Sequence, residues 1–374
     1  MTSAKSISHI QEKSPFKASV NSPMDAERYL LYPYSNEVSV LQKYAIPNKR
    51  FAVILNANAG RVTPRLTRSI KNVVPSDQVH LSQSPEHAKE ILHKCVEREV
   101  STVFAGGGDG TIVHTINQLE QFRGDAPHIP DVGVLSLGTG NALARWLGSG
   151  KPVRDLARWQ GGMIHRTVPV HMVEAEDTLF PFAGMGHDAA VLNDYNWLKG
   201  KAKGTWWESI TYGIRGYMLA GFAKTIPNYL QRPTSDVIVT NVGRPAHRIG
   251  LDGNEIGSPI PTGEILYEGP CSMIGSATTP LLGYGMRLFP HAAKRAGRFH
   301  LRLLNLSAFE SALNFPAAWN GTLDHERCFD FYADRVRINF SDAMPYQLAG
   351  EAKGFRKELT FSLTNFPVNL VAQA

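Results

Sequence analysis

Three apolar runs of strand length each end in a glycine- or asparagine-bearing loop. Phe51–Leu55 runs into Asn56-Ala57-Asn58-Ala59-Gly60, Thr102–Ala105 into Gly106-Gly107-Gly108-Asp109-Gly110-Thr111, and Val132–Leu137 into Gly138-Thr139-Gly140-Asn141. Helical patterns lie between them: Pro64–Val74 with a basic face, a helix opened by Ser84 as N-cap and Pro85 at its first position, Ile112–Leu119, and a helix from Ala142. Strands alternating with helices predict βαβ units and a parallel sheet. In an open parallel sheet ligands bind at the carboxyl ends of the strands, which puts all three loops on one rim. Glycines let the backbone approach a ligand closely, and consecutive N–H groups in such turns make a concavity that suits phosphate. One glycine turn is commonly geometry alone. Three at successive strand ends point to a nucleotide or phosphate site, with Asp109 as a single carboxylate beside it.

The pattern changes near residue 165. Alternating runs then dominate, among them Thr167–Val173, Leu179–Ala183, Val237–Asn241, Met273–Ser276, His300–Leu304, Arg335–Phe340 and Leu359–Thr364. They predict a mostly antiparallel β domain interrupted by a helical insert over about 195–224. The expected organisation is an extension over 1–48, an α/β nucleotide-binding domain over 49–165 and a β domain over 166–374, the last strand being free to return to the first domain. The 374 residues are enough for two cores.

Composition narrows the partners. The net charge of +6 (39 Lys+Arg against 33 Asp+Glu) suits phosphorylated ligands or an anionic surface but is too small to imply nucleic acid. The three cysteines, Cys95, Cys271 and Cys328, are far apart, which fits reduced thiols and not a zinc site or disulfide frame. Met1–Pro15 has no apolar core of a secretory signal, and no stretch reaches the ~20 apolar residues that span a bilayer. A cytoplasmic protein with at most peripheral contact at the inner membrane face is expected, possible self-association being left open. The insert mixes Trp197, Trp206, Trp207, Tyr212, Tyr217 and Phe222 with Lys199, Lys201, Lys203, Arg215 and Lys224. That mixture suits a membrane interface, or a helix packed on its own domain.

Taken together, the loops resemble the diacylglycerol kinase catalytic family, which includes bacterial lipid kinases, sphingosine kinases and ceramide kinases. The family pattern is Asn-Pro-x-Ser-Gly, Gly-Gly-Asp-Gly-Thr and Gly-Thr-x-Asn, here 56–60, 107–111 and 138–141. NAD kinases share the middle loop; the run 138–145 favours lipid kinases. Further on, Phe182–Ala189, Gly283-Tyr284-Gly285-Met286 with Pro290, and Gln347-Leu348-Ala349-Gly350-Glu351 are similar to other family segments.

The resemblance implies an α/β domain followed by a β-sandwich, and an ATP- and Mg²⁺-dependent kinase that phosphorylates a lipid hydroxyl. It carries nucleotide contacts to Asn56, Gly60, Ser82, Gly107, Gly108, Asp109, Gly110, Thr111, Gly138, Thr139 and Asn141. Ser82 and Thr139 hydroxyls are expected to donate to phosphates. Asp109 is the candidate to hold Mg²⁺ or orient the acceptor hydroxyl, and it could also cap the helix near Ile112. Glu351 takes the place of the proton acceptor, the alternative being a surface carboxylate. Asp188 is expected in the acceptor pocket.

The chain departs from the family pattern at four places. Ala349 stands where the family has aspartate beside Glu351. Arg295-Ala296 replace the paired aspartates of a structural Mg²⁺ site, Val113-His114 an Asn-Glu pair, and Ala57 a proline. These allow a divergent kinase, or a member that binds nucleotide or lipid without turnover; an NAD kinase-like enzyme is a third reading.

Overall fold

The computed structural model describes residues 50–373 apart from 125, 127, 164, 165, 203, 205–215, 217–219 and 222–233. The N-terminal extension and most of the aromatic and cationic insert lie outside the described residues.

The strand–helix alternation folds as a parallel sheet. Its elements are β1 (Phe51–Asn56), α1 (Pro64–Lys71), β2 (Val79–Ser82), α2 (Pro85–Glu97), β3 (Thr102–Gly107), α3 (Asp109–Glu120), β4 (Asp131–Ser136), α4 (Ala142–Trp146) and α5 (Pro152–Gln160). Helix starts follow their signals: Ser84 Oγ accepts from His87 N at 3.1 Å and Thr63 Oγ1 from Leu66 N at 3.2 Å, each ahead of a first-turn proline. Phe51, Val53 and Leu55 of β1 pack with Phe104, Leu135 and Leu156 in one core, while Ala52 and Ile54 are also buried. Strands apolar on both faces need cover on both faces, which the helices supply.

The sheet order is β2-β1-β3-β4-β18-β5, where β5 is Arg166–Val170 and β18 is Val368–Ala372. The last strand therefore returns to the first sheet, parallel to β4, and β5 pairs antiparallel to it. The chain leaves this sheet at His171–Met172, not at 165. Met172 N donates to Thr364 Oγ1 at 3.0 Å and Thr364 N to Met172 O at 2.9 Å, so the outgoing and returning strands cross side by side. The expected strand Thr167–Val173 is thus two strands in two sheets.

The second sheet has twelve strands among the described residues and is antiparallel throughout. It comprises β6 (Val173–Ala175), β7 (Thr178–Phe180), β8 (Phe182–Gly186), β9 (Ser235–Asn241), β10 (Ala246–Ile249), β11 (Glu255–Ile260), β12 (Ile265–Cys271), β13 (Met273–Ala277), β14 (Phe299–Leu304), β15 (Cys328–Ala333), β16 (Arg335–Leu348) and β17 (Glu351–Leu363). Helix α6 (His187–Ala202) follows β8, and α7 (Ala308–Leu313) and α8 (Phe315–Asn320) follow β14. The sheet forks at β16. Val336–Phe340 pair with β9, Tyr346–Leu348 pair with β8, and the register shifts between Asn339 and Met344. Side chains from both arms of the fork, such as Val239, Ile274, Leu303 and Phe331, share one core.

That core contains a buried cation. Arg302 is 1% exposed, donates twice to Asp330 at 2.7 Å and once to Leu288 O at 2.8 Å, while His300 Nε2 lies 2.9 Å from Asp330 Oδ1. Burial alone would raise the Asp330 carboxyl. His300 and the Arg302 hydrogen bonds outweigh it and hold the group far below the usual carboxylate range. A depressed carboxyl stabilises the fold above its unfolded value and loses that contribution as pH falls through its folded value. Arg302→Leu, which strands Asp330 as a buried charge, is expected to cost about 3–5 kcal/mol in denaturant melts at pH 7. Replacing both partners with apolar residues recovers much of that loss.

Candidate active site

The three loops lie at the carboxyl ends of β1, β3 and β4 and are tied to one another. Asn56 Nδ2 donates to Thr111 Oγ1 at 3.0 Å, and Asn56 Oδ1 accepts from Asn58 N at 2.9 Å. The second and third loops touch through backbone. A Cβ at Gly138 would collide with the Gly108 Cα, and one at Gly107 with the Thr111 side chain. Asn141 adopts the left-handed conformation (φ 52°, ψ 45°), and its amide clasps Gly138, accepting from Gly138 N and donating to Gly138 O, both at 2.8 Å. Thr139 is left exposed, and around Gly60 there is open space.

Two expected nucleotide contacts are placed differently. Ser82 is level with Asn56 in register, but it is buried and its hydroxyl donates to Leu55 O at 3.3 Å. The Asn141 amide is spent on its own loop, so it shapes the third loop and does not face outward.

Asp109 is the first residue of α3, whose N-cap, Gly108, makes no side-chain bond. The carboxylate caps a different helix from the one expected: Oδ1 accepts from Ala142 N, at the start of α4, at 2.8 Å. Its Oδ2 faces Gly140, where a Cβ would stand 2.8 Å away. Burial raises this carboxyl, and the N–H groups of Ala142, Leu143 and Asn141 pull it back.

Glu351 is brought to the same place from the far end of the chain. It opens β17 after a two-residue turn, Ala349 (φ 47°) and Gly350 (φ 84°), and Oε1 lies so close to Gly110 that a Cβ there would collide with it. Oε2 accepts from Lys353 Nζ at 3.1 Å. The turn is held from below: Gly350 N donates to Gln347 Oε1 at 2.9 Å, and Gln347 Nε2 donates to Asp188 Oδ2 at 3.0 Å. Asp188, near the start of α6, keeps Oδ1 buried and without a partner, and burial pushes its carboxyl up to about 6.

Asp109, Asp188 and Glu351 line one cavity of about 260 Å³, whose remaining wall is largely apolar and includes Phe182, Leu192, Leu282, Met286 and Trp319. Tyr195 and Tyr284 add hydroxyls. The sequence reading assigned neither tyrosine nor Trp319 to the site. The glycines flanking Tyr284 were the one visible signal; Trp319 had none.

For Mg²⁺, no group of three acidic, His or Cys side chains among the described residues could enclose a metal. Mg²⁺ commonly takes one or two carboxylates together with substrate phosphates and waters. Asp109 Oδ2 fits that arrangement. The structural Mg²⁺ of the family pattern near Pro290 does not fit this chain, as Arg295-Ala296 imply: Arg295 pairs with Glu255 at 3.1 Å, and His247 lies 3.1 Å from the same carboxylate.

An α/β sheet with a glycine-loop rim, facing an apolar cavity that ends in carboxylates, is an arrangement suited to holding a phosphorylated ligand beside an apolar one. Residues 50–173 match the family model of the diacylglycerol kinase catalytic domain. The chain is similar to a Bacillus subtilis diacylglycerol kinase, 23% identical over 316 residues, covering 82% of this chain and 91% of that protein. It is 52% identical over 53 residues to the eye-specific diacylglycerol kinase of Drosophila melanogaster, spanning 14% of this chain and only 4% of that protein. The crystal structure of a diacylglycerol kinase from Bacillus anthracis str. Sterne shares the fold, with TM-score 0.56, 14% identity and coverage of 87% of this chain and 97% of that one.

Gly138→Ala forces apart two backbones that have no flexible side chain between them, whereas Gly60→Ala enters open space. If the rim holds a nucleotide, calorimetric titration is expected to show its binding weakened at least ~10-fold by Gly138→Ala and changed little by Gly60→Ala. Asp188 tests the cavity's dielectric. Its raised carboxyl makes ionisation costlier in the folded than in the unfolded chain, so this group lowers stability as pH rises from about 4 to about 6. Asp188→Asn should match the parent's stability at pH 4 and exceed it by on the order of 2 kcal/mol above pH 6, read from denaturant melts.

Proposed function

We propose that the protein is a lipid kinase that transfers the γ-phosphate of ATP to a hydroxyl of diacylglycerol, a sphingoid base or a related lipid, with Mg²⁺. The observation that carries this reading is Glu351, delivered from the second sheet against Gly110 and beside Asp109, where the loop rim meets the apolar cavity. Backbone N–H groups of 106–111 and 138–140 and the exposed Thr139 hydroxyl are placed to hold the phosphates. Asp109 would hold Mg²⁺, which when bound neutralises phosphate charge. The cavity takes the apolar part of the acceptor and presents its hydroxyl. The acceptor oxygen forms a bond to the γ-phosphorus, the bond to the ADP oxygen breaks, and Glu351 accepts the hydroxyl proton. The work is positioning and charge neutralisation more than covalent chemistry.

Ala349 favours a second reading, a member of the family that binds nucleotide or lipid with little turnover. It lines the cavity beside Glu351 in a conformation that aspartate or asparagine tolerates better than alanine. The acceptor reaches the cavity from a membrane surface, which the protein meets peripherally; among the described residues no helix is long and apolar enough to cross a membrane.

Purified protein with γ-labelled ATP, Mg²⁺ and a panel of diacylglycerol, sphingoid base, monoacylglycerol and NAD tests the reading. Label is expected in a lipid and not in NAD. Glu351→Gln and Asp109→Asn should each lower kcat roughly 10²–10⁴-fold, Glu351→Gln with ATP affinity retained. Absence of transfer to every acceptor, with ATP bound, refutes the kinase reading. A large gain from Ala349→Asp supports the low-turnover one.

A further inference from the structure

We propose that Tyr284 sets the size of the acceptor, restricting the cavity to an alcohol with a single slender apolar arm. The inference rests on the kinase reading for the word acceptor, where it selects a single-chain alcohol such as a sphingoid base over the two-armed diacylglycerol, but not for the binding it describes.

The starting point is a backbone outlier. Tyr284 sits at φ 62°, ψ 7°, left-handed and costly for a bulky side chain, between Gly283 and Gly285. Glycine would occupy this position freely. Strain of this kind persists only where the surroundings over-determine it, and it gathers at functional sites. Here the backbone is pinned to the nucleotide rim, since Tyr284 N donates to Gly140 O at 3.0 Å. The side chain goes the other way, into the cavity wall. Its hydroxyl is hydrogen-bonded to that of Tyr195 on α6, and the charge of Asp109 reaches it. Burial, with these two neighbours, holds the phenol well above its ordinary value, so it stays neutral throughout the physiological range.

The two rings thus join the 283–285 loop to α6 in the wall of the cavity that Asp109 also lines. What remains is about 260 Å³, just under the roughly 300–1,000 Å³ of ordinary small-molecule sites. That volume accommodates one apolar arm, and a second arm at the same carbinol end would meet the Tyr284 ring. A strained tyrosine where glycine is free is therefore best explained by what its ring excludes.

The test uses the full chain and primary 1-alkanols from butanol to decanol, with branched 2-alkyl isomers of equal carbon number. Binding is read from tryptophan emission, with Trp319→Phe as the control that assigns the signal to the cavity. The parent is expected to bind linear alcohols at least tenfold tighter than their branched isomers. Tyr284→Gly, which relieves the backbone strain and keeps the fold, should reduce that discrimination to twofold or less. Tyr284→Phe, which keeps the ring, should preserve it. A parent that does not discriminate, or a Tyr284→Gly variant that discriminates as the parent does, overturns the proposal. Because no phosphate is transferred, these outcomes are separate from those of the kinase assay.

Discussion

The site depends on a place where two backbones meet with nothing between them. Gly138 approaches the Gly108 backbone so closely that the third loop cannot carry a side chain at the contact. Their contact sets the second and third loops side by side, and Asn56 ties the first to the second through Thr111. Asp109 then adds a bond that neither loop makes alone. By accepting from Ala142 N it fastens the start of α3 to the start of α4, which keeps one carboxylate oxygen toward Gly140. A carboxylate so used is structural first, held by backbone N–H groups at the start of α4.

The second sheet supplies what the first lacks. β16 is long enough to belong to both arms of the fork, and its far end forms the tight turn that presents Glu351. Buried polar groups hold this turn: Gly350 to Gln347 to Asp188 is a relay of hydrogen bonds that ends at an orphaned oxygen in the cavity. Partly satisfied buried networks are costly, and they are tolerated where a ligand completes them. Beneath, the Arg302–Asp330–His300 cluster anchors the Leu288 segment that lines the same cavity, so a protein cation sits in the core close to the loop where the family pattern has carboxylates.

Much of the rim could be read directly. Strand length, helix caps and glycine spacing are local, and their signals are within a few residues of what they specify. The exceptions show where local reading stops. Ser82 and Asn141 were legible as rim residues, but their hydrogen bonds turn them inward, to Leu55 O and Gly138. The alternating run 167–173 looked like one strand because alternation reports a half-buried face and not which sheet provides it; β5 and β6 part at His171. Tyr284 has no role legible in its glycine-rich segment, since nothing in its neighbours announces a positive φ or a contact with a tyrosine 89 positions earlier.

By itself the sequence determined the parallel-sheet core, the three loops at its rim, the antiparallel second half and the identity of Asp109 and Glu351 as candidate groups. All but Glu351 follow from periodicity and residue type, which act over one or two turns of chain; Glu351 is singled out by the family resemblance of its segment. The tertiary structure alone decided that Glu351 meets Gly110, that Asp109 caps the neighbouring helix, that Asp188 is held by Gln347 and that two tyrosines are hydrogen-bonded in the cavity wall. Each of these joins residues tens to hundreds of positions apart. Such contacts are specified by how two sheets pack and fork, and that arrangement is a property of the whole core.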